Sequence, residues 1–277
     1  LSDGYFTEQQ TPHLRLGVRI SRKLHEESTP YQRLAVYETT GLGRMLALDE
    51  IVQLTESDEW TYHEMMAHVP MLVHPCPRRA LVVGGGDGGV LREILRHRTV
   101  AHAELVDIDE AVVRAAREFF PGVSCGFADP RARVIAGDGI VHVRDHPGEY
   151  DVIAVDSTDP IGPAVGLFQA GFYRSAAKAL RSPGALSQQV GSPFYNRDFV
   201  RETVAAARTA FDEVRLYTGV VPTYPGGLWC YLLGIKGTVA AGFDAGRAAA
   251  LGPTRYYSAE VHRQAFALPP FVAELLR

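Results

Sequence analysis

Cysteine is scarce: three in 277 residues, Cys76, Cys125 and Cys230, far apart and odd in number. That excludes a disulfide framework and fits incidental thiols of a reducing compartment. No apolar run approaches the ~18 residues needed to cross a bilayer. The opening LSDGYFTEQQ lacks the basic and apolar regions of a secretory signal. No Lys/Arg run or basic stripe occurs, and a formal net charge of −4 argues against a nucleic-acid binder. Internal repeats and low-complexity tracts are also missing. What remains, 46% hydrophobic and 22% charged residues, is ordinary for a soluble globular chain. The length suits one large domain or two smaller ones. A cytoplasmic enzyme is the expectation.

The most informative stretch is Ala80–Gly89, Ala-Leu-Val-Val-Gly-Gly-Gly-Asp-Gly-Gly. A strand-like apolar run breaks into glycines, and VLREILRHR then resumes with helical spacing. Gly84, Gly86 and Gly89 fit G-x-G-x-x-G, the turn that lets a backbone approach a nucleotide at a helix N-terminus. Glycines alone also occur between strands and helices for steric reasons. Here a second strand-like run, Ala103 to Val106, ends about 20 residues on in Asp107, where an acid would bond ribose hydroxyls. Asp87 does not fit a dinucleotide, because inside the loop it would repel a pyrophosphate. A carboxylate there suits a cationic ligand.

Residues 1 to about 57 have another texture. Period-two alternation over Leu14–Ile20, strand-like runs at 32–37, 44–48 and 51–54, and a turn at Gly41-Leu42-Gly43 predict a small antiparallel β domain. Ser57-Asp58-Glu59 offers the start of a helix running to about Met71, stopped by Pro70 and Pro75. From Arg79 the pattern becomes strand, glycine or acid, then helix, repeated. Strands are expected at 80–83, 103–106, 133–136, 151–155 and 185–190, with two β-rich runs at 214–218 and 228–235. The predicted fold is α/β: a methyltransferase-like, Rossmann doubly wound sheet over 58–277 behind the N-terminal β domain of 1–57. Ligands of such sheets bind beyond the C-terminal strand ends, a rule that gathers Asp87, Asp107, Asp138 and Asp156 on one rim.

The second informative stretch is Asp156-Ser157-Thr158-Asp159-Pro160-Ile161-Gly162-Pro163. Its bland reading is an Asx turn with a helix cap. Four strands ending in acids nevertheless imply a carboxylate-lined pocket, which wants an organic cation or a metal. Hard cations take clustered carboxylates, but no EF-hand loop occurs. His63 and His68 in HEMMAH are five apart, whereas H-E-x-x-H needs four, so zinc is not expected. His63 remains a pocket candidate. Ser192 lacks the glycine-flanked elbow of a hydrolase nucleophile. Trp60 is assigned to the core, and Tyr224, between two prolines, to a loop that faces a ligand.

The chain resembles the spermidine synthases, the polyamine aminopropyltransferases, over nearly its whole length. The matching motifs are GYFTEQQTP, LALDEIVQLTESDEWTYHEMMAHVP, LVVGGGDGGVLREILRH, DSTDPIGPAVGLF, PTYPGG and AFALPPF. The glycine loop alone would also suit methyltransferases. The resemblance implies an N-terminal β-hairpin domain on a methyltransferase-like sheet, assembled as a homodimer or homotetramer. It implies decarboxylated S-adenosylmethionine as co-substrate with no tightly bound cofactor, no metal, and putrescine as the usual acceptor. Spermidine and methylthioadenosine would be the products.

By this resemblance Asp87 holds the donor's aminopropyl amine. Gln53, Asp107 and Asp138, with Gly84, Gly86 and Gly139, surround the donor's methionine-derived atoms, ribose and adenine. Tyr62, Asp156, Asp159, Gln189 and Tyr224 form the acceptor and catalytic set, Asp156 being the base, and His63 stands where the family has a pocket-lining Gln or His. We expect the Asp156 carboxyl to be raised by burial and by neighbouring Asp159. Three departures stand out. Gly4-Tyr5 replaces an early tryptophan near the acceptor end, Glu50 replaces a glycine, and Leu186-Ser187-Gln188 is less apolar than usual. The first leaves agmatine, cadaverine or a longer polyamine as rival acceptors; the other two read as structural. A methyltransferase and a non-catalytic nucleoside-binding protein are the more distant rivals.

Overall fold

The computed structural model describes residues 4–238 and 243–277. Alternating side chains and tight turns fold the N-terminal part into a five-stranded antiparallel sheet in sequential order. Its strands are β1 (Tyr5–Thr11), β2 (Leu14–Ser28), β3 (Arg33–Thr39), β4 (Arg44–Leu48) and β5 (Ile51–Thr55). β1 was not foreseen as a strand, and β2 runs well past Ile20 because its polar second half pairs with β3 through two register shifts. At the β4–β5 turn Asp49 and Glu50 both have positive φ, 48° and 66°. This is the mirror-image turn that matches strand twist, and it explains a preference for glycine there. Glu50 keeps its place with a 2.6 Å ion pair to Arg33.

The second sheet has seven strands: β6 (Arg79–Gly84), β7 (His102–Asp107), β8 (Ala132–Ala136), β9 (Tyr150–Asp156), β10 (Leu180–Gly191), β11 (Glu213–Val220) and β12 (Leu228–Lys236). The spatial order is β11-β12-β10-β9-β6-β7-β8. β12 runs antiparallel to both its neighbours, and the remaining pairs are parallel. The helices that connect its strands or precede them are α1 (Glu59–Val73), α2 (Gly89–Leu95), α3 (Glu110–Phe119), α4 (Gly139–Asp145), α5 (Ala170–Ala179) and α6 (Arg197–Arg208), and three short ones follow the last strand, α7 (Ala245–Ala249), α8 (Ala259–Ala265) and α9 (Pro270–Ala273). One core packs α1 and α2 on one face of the sheet, and a second packs α5 and α6 on the other. The chain reverses direction across the sheet between β6 and β9, so a crevice opens beyond their carboxyl ends. The N-terminal sheet covers this crevice, with Leu34, Val36 and Leu46 buried against Val112, Ala115 and Phe120 at α3.

Helix α1 does not stop at Pro70; it continues to Val73. A proline inside a helix removes the N–H that would serve the carbonyl four residues back, here Met66. The Ser187 hydroxyl on β10 donates to that carbonyl at 2.9 Å. The polar residue at 187, a departure noted in the sequence, thus has a structural partner. Asp58 precedes the helix without capping it; its carboxylate accepts from the Thr55 hydroxyl and from Thr223 N–H and Oγ1. Trp60 is also not a core residue. It is half-buried, donates from its indole to Ser57 O at 2.8 Å, and carries the Arg255 guanidinium 4.3 Å above its ring. Among the described residues no helix is long and apolar enough to cross a membrane.

Candidate active site

A cavity of about 390 Å³ lies between the N-terminal sheet and the β6/β9 crevice. It collects every site residue singled out in the sequence: Gln53, Tyr62, His63, Gly84, Gly86, Asp87, Asp107, Asp138, Gly139, Asp156, Asp159, Gln189 and Tyr224.

The glycine loop builds one wall. At Gly84, φ is +79° and a Cβ would lie 2.2 Å from the Asp156 carbonyl oxygen, so only glycine fits between the two strand ends. Gly86 N–H donates to Asp107 Oδ2 at 2.8 Å, and the other Asp107 oxygen accepts from Asp109 N–H at 2.8 Å. Burial still pushes the Asp107 carboxyl up to about 6, against these two bonds. Gly89 has a different use. A Cβ there would fall 2.1 Å from His63 Nδ1, so this glycine makes room for a histidine of α1. Asp138 is exposed at the start of α4 and accepts from Ile140 and Val141 N–H at 2.7 and 3.3 Å. Gly139 beside it leaves space that Val83 fills.

Beside it stand the end of β9 and what faces it. The Tyr62 hydroxyl donates to Asp156 Oδ1 at 2.7 Å. Asp156 Oδ2 is buried with no hydrogen-bond partner among the described residues. Burial, and then the nearby Asp87 carboxylate, raise the Asp156 carboxyl to about 7, while His63 and Tyr62 hold it back. The neighbour that adds to burial is therefore Asp87, on the adjacent glycine loop, and not Asp159 as the sequence suggested. Asp159 stands exposed at the rim. Tyr224 meets the Tyr62 ring at 5.8 Å and donates to the Gln53 carbonyl at 2.6 Å, fastening the PTYPGG loop to β5. Gln53 donates its amide to Ile51 O at 3.2 Å. Gln189 lines the cavity, but both ends of its amide serve the main chain, at Ser157 O and Gly191 N.

His63 is held between two carboxylates: Nδ1 lies 2.5 Å from Glu59 Oε2 and Nε2 3.3 Å from Asp87 Oδ1. Burial disfavours its charge, yet Asp87 and Glu59 outweigh burial and raise it to about 10. One ligand-type atom each of His63, Asp87 and Asp156 lie within 4.8 Å of one another, a spacing that would suit a metal ion. An imidazole that keeps its proton cannot ligate a metal ion, while the two carboxylates can also face an organic cation. Two acids of the cavity region were not singled out as site residues in the sequence. Glu59 is buried and bonded to Arg92 at 2.8 and 3.1 Å. Glu8 points inward from β1, accepts from Val52 N–H at 2.9 Å, and is raised to about 7 by burial. No pattern in β1 marked Glu8, whereas the i,i+4 spacing of Glu59 and His63 on α1 was the signal for Glu59.

Comparison with known proteins agrees with this geometry. A family model described as a spermine/spermidine synthase domain matches residues 59–241, and one described as a spermidine synthase tetramerisation domain matches 4–56. The polyamine aminopropyltransferase of Moorella thermoacetica is 51% identical, over 98% of this chain and 96% of that one. That of Caldicellulosiruptor bescii is 46% identical, over 99% and 98%. A spermidine synthase crystal structure in complex with the transition-state analogue AdoDATO superposes with a TM-score of 0.96 at 38% identity, covering 100% of this chain and 96% of that one. Spermidine synthase from Thermotoga maritima gives 0.94 at 38% identity, over 98% and 94%. The chain belongs to the spermine/spermidine synthase family, the polyamine aminopropyltransferases.

Proposed function

We propose that this enzyme transfers the aminopropyl group of decarboxylated S-adenosylmethionine to putrescine, giving spermidine and methylthioadenosine. The observation that carries the reading is Asp87 close to Asp156 in one cavity, two carboxylates placed for two amines. Ordinary S-adenosylmethionine carries an α-carboxylate that Asp87 would repel; its decarboxylated form presents only a cation. Asp87 then takes the donor's amine. Gln53, Asp107 and Asp138, with Gly84, Gly86 and Gly139, hold the methionine-derived chain, the ribose and the adenine.

Tyr62, His63, Asp159, Gln189 and Tyr224 shape the acceptor's place, with Asp159 at the rim for its far ammonium. The acceptor nitrogen attacks the carbon beside the sulfonium in line. A C–N bond forms, the C–S bond breaks with its electron pair going to sulfur, and Asp156 takes the nitrogen's proton. A carboxyl raised to about 7 lies closer to an alkylammonium at ~10.4 than an ordinary one at ~4 does, so the transfer is less uphill. Residues 58–277 form the catalytic unit, and residues 1–57 cover it and build a homodimer or homotetramer in the cytoplasm.

The test is a mass-spectrometric turnover assay with decarboxylated S-adenosylmethionine and a panel of amines. Methylthioadenosine and spermidine, fastest from putrescine, is the expected result. Faster turnover of agmatine or a longer amine would overturn the acceptor, and no methylthioadenosine with any amine would overturn the transferase.

A further inference from the structure

We infer that His63, oriented by Glu59, holds a proton against Asp87 in the unliganded enzyme, and that the donor's ammonium displaces this proton on binding. The inference rests on the donor reading above and adds a proton to its stoichiometry. The imidazole is 2% exposed and bridges two carboxylates. A carboxylate oxygen can only accept, so the 2.5 Å contact fixes Nδ1 as a donor to Glu59. Arg92 keeps Glu59 ionised: burial alone would raise that carboxyl, but His63 and Arg92 bring it down to about 2. With Nδ1–H committed, Nε2 decides the charge of the ring. Facing Asp87 Oδ1 at 3.3 Å, an oxygen that also accepts from Gly89 N–H at 2.7 Å, it can donate to that acid only when it too carries a proton.

The groups around the ring come from three other segments besides Glu59 and Tyr62 on its own helix. Asp87 and Arg92 lie on the β6–α2 turn and α2, Asp156 ends β9, and the Tyr62 ring stands edge-on at 5.5 Å. Acids outnumber cations, which is why the ring is charged before a ligand arrives. A donor ammonium at Asp87 brings its own N–H groups and its own charge. Two cations side by side repel, so the ring gives up its Nε2 proton to solvent and accepts from the ammonium instead. Glu59 is a positioning residue here: it sets which nitrogen faces the ligand and how firmly the ring holds its proton.

Titration calorimetry of the full chain at pH 8.5, in buffers of differing ionisation enthalpy, counts the protons. At that pH Asp156 is already ionised and His63 is not yet neutral. Decarboxylated S-adenosylmethionine is expected to release about one proton per site. Methylthioadenosine, which lacks the amine, should release almost none. His63→Gln should bring the donor's count near zero, and Glu59→Gln should lower it part of the way, since the imidazole loses one raising carboxylate while Asp87, the stronger of the two, still faces it. A merely structural role for Glu59 would change stability and leave the proton count alone. Donor binding without proton release, or an unchanged count in His63→Gln, overturns the inference while the proposed function stands. No donor binding at all overturns the proposed function, and the inference with it.

Discussion

Tyr62 reaches from α1 to β9 and gives Asp156 its one side-chain hydrogen bond among the described residues, 2.7 Å to Oδ1. A hydroxyl that donates to the ionised carboxylate favours ionisation, so it works against burial and Asp87. A base must be ionised to accept a proton, and the acidic limb of kcat/KM is therefore expected to rise through about pH 7. Tyr62→Phe removes the stabilising donor. The sign is fixed: Asp156 then keeps its proton to higher pH, and the limb moves upward by about one to two pH units, given that a hydrogen bond to a charged group is worth ~1.5–3 kcal/mol. A pH–rate profile of the two proteins checks this, and a limb that stays in place or moves down would remove Asp156 from the role of base. The identities of Tyr62, Asp156 and Asp87 were legible because motifs fix them in sequence. Their mutual approach was not. Nothing local says that the Asp87 of one loop, rather than the Asp159 three residues away, is the acid that Asp156 responds to.

At the level of elements, α1 shows what a remote partner can hide. Pro70 is a helix breaker by every local rule, and the helix nevertheless runs on to Val73. The compensating Ser187 hydroxyl comes from a strand 121 residues away, beyond the reach of any window of sequence. Ser187→Ala would strand the Met66 carbonyl in a buried site and is expected to cost about 1–2 kcal/mol of unfolding free energy. Pro70→Ala restores the helical N–H to the same carbonyl, so Ser187→Ala should cost clearly less in that background. Denaturant unfolding of the four proteins of this cycle measures the coupling. Equal costs in both backgrounds would mean that the hydroxyl and the proline are unrelated. By contrast, the strand–acid–helix repeats of the larger sheet were legible, because each is a local pattern: an apolar run, a turn residue, a 3.6-residue period. β1 was missed for the opposite reason. Its polar members outnumber its buried ones, and only pairing with β2 makes it a strand.

The whole molecule is two sheets that share one cavity and one patch of core. Leu34, Val36, Leu46, Leu48 and Leu54 of the N-terminal sheet have their apolar partners on and after α3, in the other unit. Glu8, Gln53 and Tyr224 then line or fasten the cavity from both sides of that seam. A unit whose core face is finished by its neighbour has little stability alone, because that face would be bared to water at about 25 cal/mol per Å². The two units are therefore expected to unfold together, in a single calorimetric transition. Phe120, 1% exposed within this patch, is the residue to probe. Phe120→Ala removes a buried ring at a cost of about 3–5 kcal/mol. If the seam couples the units, the whole transition moves to lower temperature as one peak, and donor binding weakens with it because the cavity's roof is loosened. If the seam is only a contact between self-sufficient domains, the same substitution splits the trace, with an early transition for the N-terminal sheet and an unmoved one for the rest.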